Sequence, residues 1–205
     1  AGPAALLARA NGSPIRTVYL YSKPEWTAIV VRKDSDITAL EQLKGKKIAA
    51  TKGTDPYFFL LQTLHTVGLT QKDVEIVNLQ HADGKTALER GDVDAWAGLD
   101  PYMAQTELEQ GSRLIYRNIE FNSWGFLNAR EEFLEKHPAY VVRILAQYER
   151  ARHWILEHPE EAAQILAEEA KLSIDVARRE LFDRTVLDIN PIPGDEQKAV
   201  LARII

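Results

Sequence analysis

Cysteine is absent from the 205 residues. That excludes disulfides, thiolate metal sites and a cysteine nucleophile, and it leaves the compartment open. No apolar run approaches the roughly 18 residues of a membrane span. An excess of positive charge is missing as well. Net charge is −5, and basic residues run no longer than two, as at Lys46 and Lys47. A nucleic-acid footprint is therefore not indicated. The five histidines contain no His-x3-His pair, so no metal site is expected. Neither a Gly-x-Ser-x-Gly elbow nor a phosphate-binding loop motif occurs, which leaves catalytic residues and cofactors without support. What remains is 45% hydrophobic and 27% charged, an ordinary globular composition for one large domain or two small lobes.

Local signals give the order of elements. In "AGPAALLARANG", Pro3, Leu6, Leu7 and Ala10 are closed by Gly12. This is a helix whose start signal stands at the edge of the sequence, so it reads as the interior of a longer chain. "IRTVYLYS" and "WTAIVVRKDS" are strands. Thr38 and Glu41 have capping-box spacing and predict a short helix. "KKIAAT", "VEIVNLQ", "AWAGL", "RLIYRN" and "SWGFLNAR" are further strands. Helices are expected from Asp55 to Gly68, from a cap at Asp83 to Gly91, and from Asp100. Alternation of this kind predicts an α/β unit with a mostly parallel sheet. The last third reads as purely helical. His137-Pro138 and His158-Pro159 each open a helix, and Val141, Ile144, Leu145, Tyr148 and Ile155 share one face of the first. Ser173 caps a helix running to about Val186, and Asp195 starts the last. Trp96 and Trp154 are expected in cores.

Asp-Pro-Tyr occurs twice, at Asp55 and at Asp100, each time after an apolar run. Asp is a good N-cap and Pro suits the first helical position, so each reads as a strand feeding a helix. A plain helix start explains either one. Two helix N-termini opening on one ligand explain both. Ligands in such sheets bind beyond the carboxyl ends of the strands. The candidate joints are Lys52-Gly53-Thr54-Asp55, Gln80-His81-Ala82-Asp83 and Gly98-Leu99-Asp100. The first best suits an anion, with a close backbone approach at Gly53, a hydroxyl donor at Thr54 and free helix N–H groups. Lys52 either adds charge or faces solvent. Asp100 is either a cap or an acceptor for a cationic ligand group.

"QLKGKKIAATKGT", "VGL", "ALERGDVDAW" and "GLDPY" follow one another through the middle of the chain. "SWGFLNAREEFLEKHPAYVVRIL" comes after them and "GPAALLARANG" before. As a set these resemble the substrate-binding proteins of ABC importers for sulfonates, nitrate, taurine and thiamin precursors, with the aliphatic sulfonate branch nearest. The resemblance implies a two-lobed α/β shell, the periplasmic binding protein type II fold. Lobe 1 would comprise residues 1–33 and 122–205, incomplete at its N-terminal side, and residues 34–121 would form an inserted lobe 2. It implies a binding component and not an enzyme, capturing a small organic anion such as an alkyl sulfonate between the lobes. Its partners would be an ABC permease and its ATPase, at the membrane periphery. The place would be the periplasm, or the outer face with a lipid anchor in a Gram-positive cell. The implied ligand-binding residues are Lys52, Gly53, Thr54, Asp55 and Tyr57, then Ala82 and Asp83, then Asp100, with Trp26 and Trp124 as walls. An enzyme or ligand-sensing domain on the same fold, related to thiamin-pyrimidine synthases, is the alternative. Two departures stand out. Two complete lobes need roughly 300 residues, and Leu99 stands where relatives often carry Trp.

Overall fold

Every residue of Thr27–Val31 is buried. A strand apolar on both faces must be covered on both, and the computed structural model, which describes residues 2–203, shows how. In chain order the elements are α1 (Gly2–Ala10), β1 (Ile15–Pro24), β2 (Thr27–Val31), β3 (Lys47–Ala50), α2 (Asp55–Thr66), β4 (Glu75–Asn78), α3 (His81–Arg90), β5 (Ala95–Leu99), α4 (Tyr102–Gln110), β6 (Arg113–Arg117) and β7 (Gly125–Arg130). There follow α5 (Glu131–Lys136), α6 (Pro138–Glu157), α7 (Pro159–Ala170), α8 (Ile174–Arg178), β8 (Thr185–Val186) and α9 (Asp195–Ala202). The described residues divide into two units. One holds the residues up to Pro24 and from Ser123 onward, and the other holds Glu25–Asn122.

In the second unit the sheet order is β4-β3-β5-β2-β6. β3 runs parallel to β4 and β5. β2 runs antiparallel to β5 and to β6, so it alone points the other way. Side chains alternate between faces with period two. Ile29, Val31, Ile48, Ala50, Ala95 and Ala97 pack beneath Phe59, Leu60 and Leu64 of α2. Their neighbours Ala28, Val30, Ala49 and Trp96 pack on the opposite face with Ala87, Leu88 and Met103 of α3 and α4. Trp96, 1% exposed, is core as expected. The short helix expected near Thr38 is a 3-10 turn at Leu40–Leu43. Gln42 Oε1, rather than Glu41, reaches back to accept from the N–H groups of Thr38 (2.7 Å) and of the N-cap Ala39 (2.9 Å) ahead of the turn.

In the other unit β1 is central, in the order β7-β1-β8, with both pairings antiparallel. Leu20, Trp124 and Phe126 form its core with Ile189 and Leu201. The sequence reading of this region needs several corrections. Residues 1–33 were expected together, yet β2 is bound into the other unit's sheet by its pairing with β5 and β6. The last third is not purely helical, since Thr185 and Val186 pair with Pro24 and Lys23. The helix capped by Ser173 ends at Arg178, followed by a π-helical turn at Arg179–Asp183 that feeds this strand. On α6 the sheltered stripe is Val141, Leu145, Glu149, Arg152 and Ile155, while Ile144 (41%) and Tyr148 (38%) are exposed. Two ionised residues hold the inward positions because each is bonded there. Arg152 donates to Leu187 O (2.6 Å) and to Glu149 (2.8 Å), and Glu149 also accepts from the Tyr19 hydroxyl (2.8 Å). Trp154 is not core. It is 37% exposed and stacks on His158, with ring centroids 5.0 Å apart. No helix among the described residues is long and apolar enough to cross a membrane.

Candidate functional site

Because β3, β4 and β5 are parallel neighbours, the joints that follow them share the carboxyl edge of one sheet. Trp26 is at this edge too, since it precedes β2, whose first residue pairs with Leu99.

At the first joint Gly53 has φ +80°, a left-handed conformation that suits glycine. It turns the chain from β3 into α2. The N-cap is Thr54, not Asp55, and it makes no side-chain cap hydrogen bond. Its hydroxyl donates instead to Thr51 O at 2.6 Å. A hydroxyl has one hydrogen, so the expected Thr54 hydroxyl donor is already engaged. The N–H groups of Gly53 and Thr54, by contrast, carry no hydrogen bond among the described residues. Lys52 is exposed, and its own N–H is fixed by Asn78 Oδ1 at 3.0 Å. Asp55 is buried as the first helical residue, ahead of Pro56. The Tyr57 hydroxyl donates to Gln71 Oε1 (3.1 Å) and its ring packs against the core under α2.

At the second joint the helix begins earlier than the sequence suggests. Gln80 is the N-cap, while Ala82 and Asp83 are exposed residues of the first turn, so Asp83 does not cap. The reason is geometric, because Gly84 N–H reaches Gln80 O at 2.8 Å and closes the turn before Asp83. The residue of interest here is His81, whose Nδ1 lies 3.1 Å from Thr51 Oγ1. Burial pushes its pKa below the ordinary 6.5. The signal in the sequence is a histidine just after a strand at this edge, within the joint Gln80-His81-Ala82-Asp83 but outside any metal-binding pattern.

At the third joint the Asp100–Pro101 peptide is cis and α4 starts at Tyr102, so the two Asp-Pro-Tyr joints are not alike. Asp100 Oδ1 accepts from Ala104 N–H at 2.9 Å, a helix-capping contact, and Asp100 N–H donates to Trp26 O at 3.0 Å. Trp26 is half-buried. Trp124 belongs to the other unit. It is 5% exposed in the core there, with Lys23 Nζ 5.2 Å from its ring centroid. The edge therefore gathers Lys52, Gly53, Thr54, Asp55, His81, Ala82, Asp83, Asp100 and Trp26. A cavity of about 490 Å³ lined by Arg32, Lys33, Arg90 and Gly91 lies elsewhere, at the opposite edge where α3 and α4 end. No cluster of groups able to hold a metal ion occurs among the described residues.

The arrangement offers backbone donors at a helix N-terminus, where partial positive charge favours an anion. The NMT1/THI5-like family model matches residues 1–162. A protein of Escherichia coli (strain K12) named as aliphatic sulfonates-binding is 32% identical over 174 residues, covering 84% of this chain and 54% of its own length. Its namesake in Bacillus subtilis (strain 168) is 35% identical over 170 residues, covering 82% and 51%. The crystal structure of the periplasmic aliphatic sulphonate binding protein SsuA from Escherichia coli matches with a TM-score of 0.87 at 28% identity, covering 99% of this chain and 67% of that one. The fold is thus that of the periplasmic binding proteins. The chain spans about half the length of the curated relatives it matches.

Proposed function

The chain belongs to the NMT1/THI5-like family, and from that premise we propose that it is the substrate-binding part of an ABC importer, taking a small organic anion with an aliphatic sulfonate first in order. The observation that carries the reading is the pair of unbonded N–H groups at Gly53 and Thr54, at the start of α2. A sulfonate has three acceptor oxygens and keeps its charge at any physiological pH, so it can use both donors at once. Lys52 adds positive charge at the same joint. Ala82 and Asp83 follow the neighbouring joint, and Asp100, engaged as a cap, shapes the third with Trp26. Tyr57 and Trp124 act through packing. The names of the aligned relatives describe sulfonate binding and support a binding protein rather than an enzyme. In this reading the protein works outside the cytoplasmic membrane, free in a periplasm or held by a lipid anchor. It hands its ligand to a permease driven by an ATPase.

Calorimetric titration of the protein with ethanesulfonate and with propionate tests this. Saturable binding of the sulfonate is expected, about tenfold or more tighter than the carboxylate, a difference of roughly 1.4 kcal/mol. The absence of binding by any alkyl sulfonate would overturn the reading.

A further inference from the structure

His81 opens α3, and its imidazole lies against the end of β3. Thr51 Oγ1 is 2.6 Å from Leu79 O and 3.1 Å from His81 Nδ1. A carbonyl cannot donate, so the single hydroxyl hydrogen of Thr51 goes to Leu79. The contact with His81 is then possible in one sense only, with Nδ1–H donating to the Thr51 oxygen. Nε2 has no partner among the described residues, and in the neutral ring it carries a lone pair. Thr51 also joins this ring to the first joint, because its carbonyl receives the Thr54 hydroxyl. One edge thus carries two free donors, the N–H groups of Gly53 and Thr54, and one free acceptor.

We propose that His81 makes this site selective for organic anions that also carry a hydrogen-bond donor, such as an ammonium or hydroxyl group. The inference rests on the anion reading of the Gly53–Thr54 joint. Backbone donors take the anionic head and Nε2 takes the donor. The ring is neutral at pH 7 and above, because burial holds its pKa below the ordinary 6.5. Charged groups on α3 and α4 and at the neighbouring joints are Lys52, Asp55, Asp83, Lys85, Glu89, Arg90, Asp100, Glu107 and Glu109, and burial is the cause of the shift, with no contribution from any of them. As pH falls through the His81 pKa, Nε2 gains a proton and becomes a donor. The preference for donor-bearing ligands is then lost, and plain sulfonates gain.

The test is calorimetry at pH 8 with ethanesulfonate, 2-hydroxyethanesulfonate and 2-aminoethanesulfonate, alongside nitrogen NMR of the His81 ring. The donor-bearing ligands should bind about tenfold tighter than ethanesulfonate. His81→Asn keeps a donor for Thr51 but lacks the outer acceptor, so it should bind all three alike with an unchanged melting temperature. His81→Gln, which places an amide oxygen near the Nε2 position, should retain the preference and lose its pH dependence. An unchanged preference in His81→Asn, or a ring protonated at Nε2 rather than Nδ1 in the neutral form, overturns the inference. Binding of all three without discrimination by the wild type overturns it alone. Failure of all three to bind overturns the anion reading beneath it as well.

Discussion

Gly53 and Thr54 show what one residue can and cannot disclose. A glycine before a helix signals a turn, and φ +80° bears that out. Gly53→Ala should therefore cost about 1–2 kcal/mol in urea unfolding, because a Cβ is strained there. It should also weaken sulfonate binding by tilting the N–H groups. Thr54 looked like a ligand donor, yet its hydrogen belongs to Thr51 O. Thr54→Ala is expected to cost about 0.5–1.5 kcal/mol of stability and to change affinity less than tenfold, since the N–H stays. Thr51 and His81 could not be connected by reading the chain. They lie 30 residues apart, and only the parallel pairing of Ala50 with Asn78 brings their joints together. The His81 ring has a further consequence for stability. Its folded pKa is lowered, so as pH drops below the ordinary 6.5 the unfolded chain binds more protons, and stability is lost as pH falls. Denaturation curves between about pH 5 and 8 should show this slope in the wild type and a shallower one in His81→Asn.

At the scale of elements, alternation and capping made the β3-α2-β4-α3-β5-α4 run legible. In the structure period two separates the two cores, with Ile29 and Val31 on one face and Ala28 and Val30 on the other. The direction of β2 was not legible, since a fully buried strand reads the same either way. The two-residue β8 is too short for any pattern and exists only because Lys23 and Pro24 offer it a partner. On α6 apolarity misled, because Glu149 and Arg152 turn inward to a bonded network while Ile144 stays out. Thermal unfolding can compare the two kinds of surface. Leu60→Ala, at a fully buried position under α2, should cost about 2–5 kcal/mol. Val142→Lys, at 67% exposure on α6, should stay within about 0.5 kcal/mol of wild type. Similar losses in both would contradict the assignment of α2 to the core and α6 to the surface.

The whole molecule is two units, and the one comprising Glu25–Asn122 is continuous in sequence. The order of a middle unit inserted between chain ends was available from the resemblance. Its boundary was not, because β2 follows β1 closely in sequence but pairs with β5 and β6, which come only after β3, α2, β4 and α3. Glu25–Asn122 has its own sheet and both of its cores. Expressed alone, it should melt cooperatively with α/β circular dichroism, and an unfolded fragment would contradict the division. The central claim is that this unit holds an organic anion on backbone donors at the start of α2. Amide NMR of the protein titrated with ethanesulfonate addresses it most directly. The account predicts saturable downfield shifts of the Gly53 and Thr54 amide protons as they take up the sulfonate oxygens. Saturable binding that leaves both amides unmoved would contradict it.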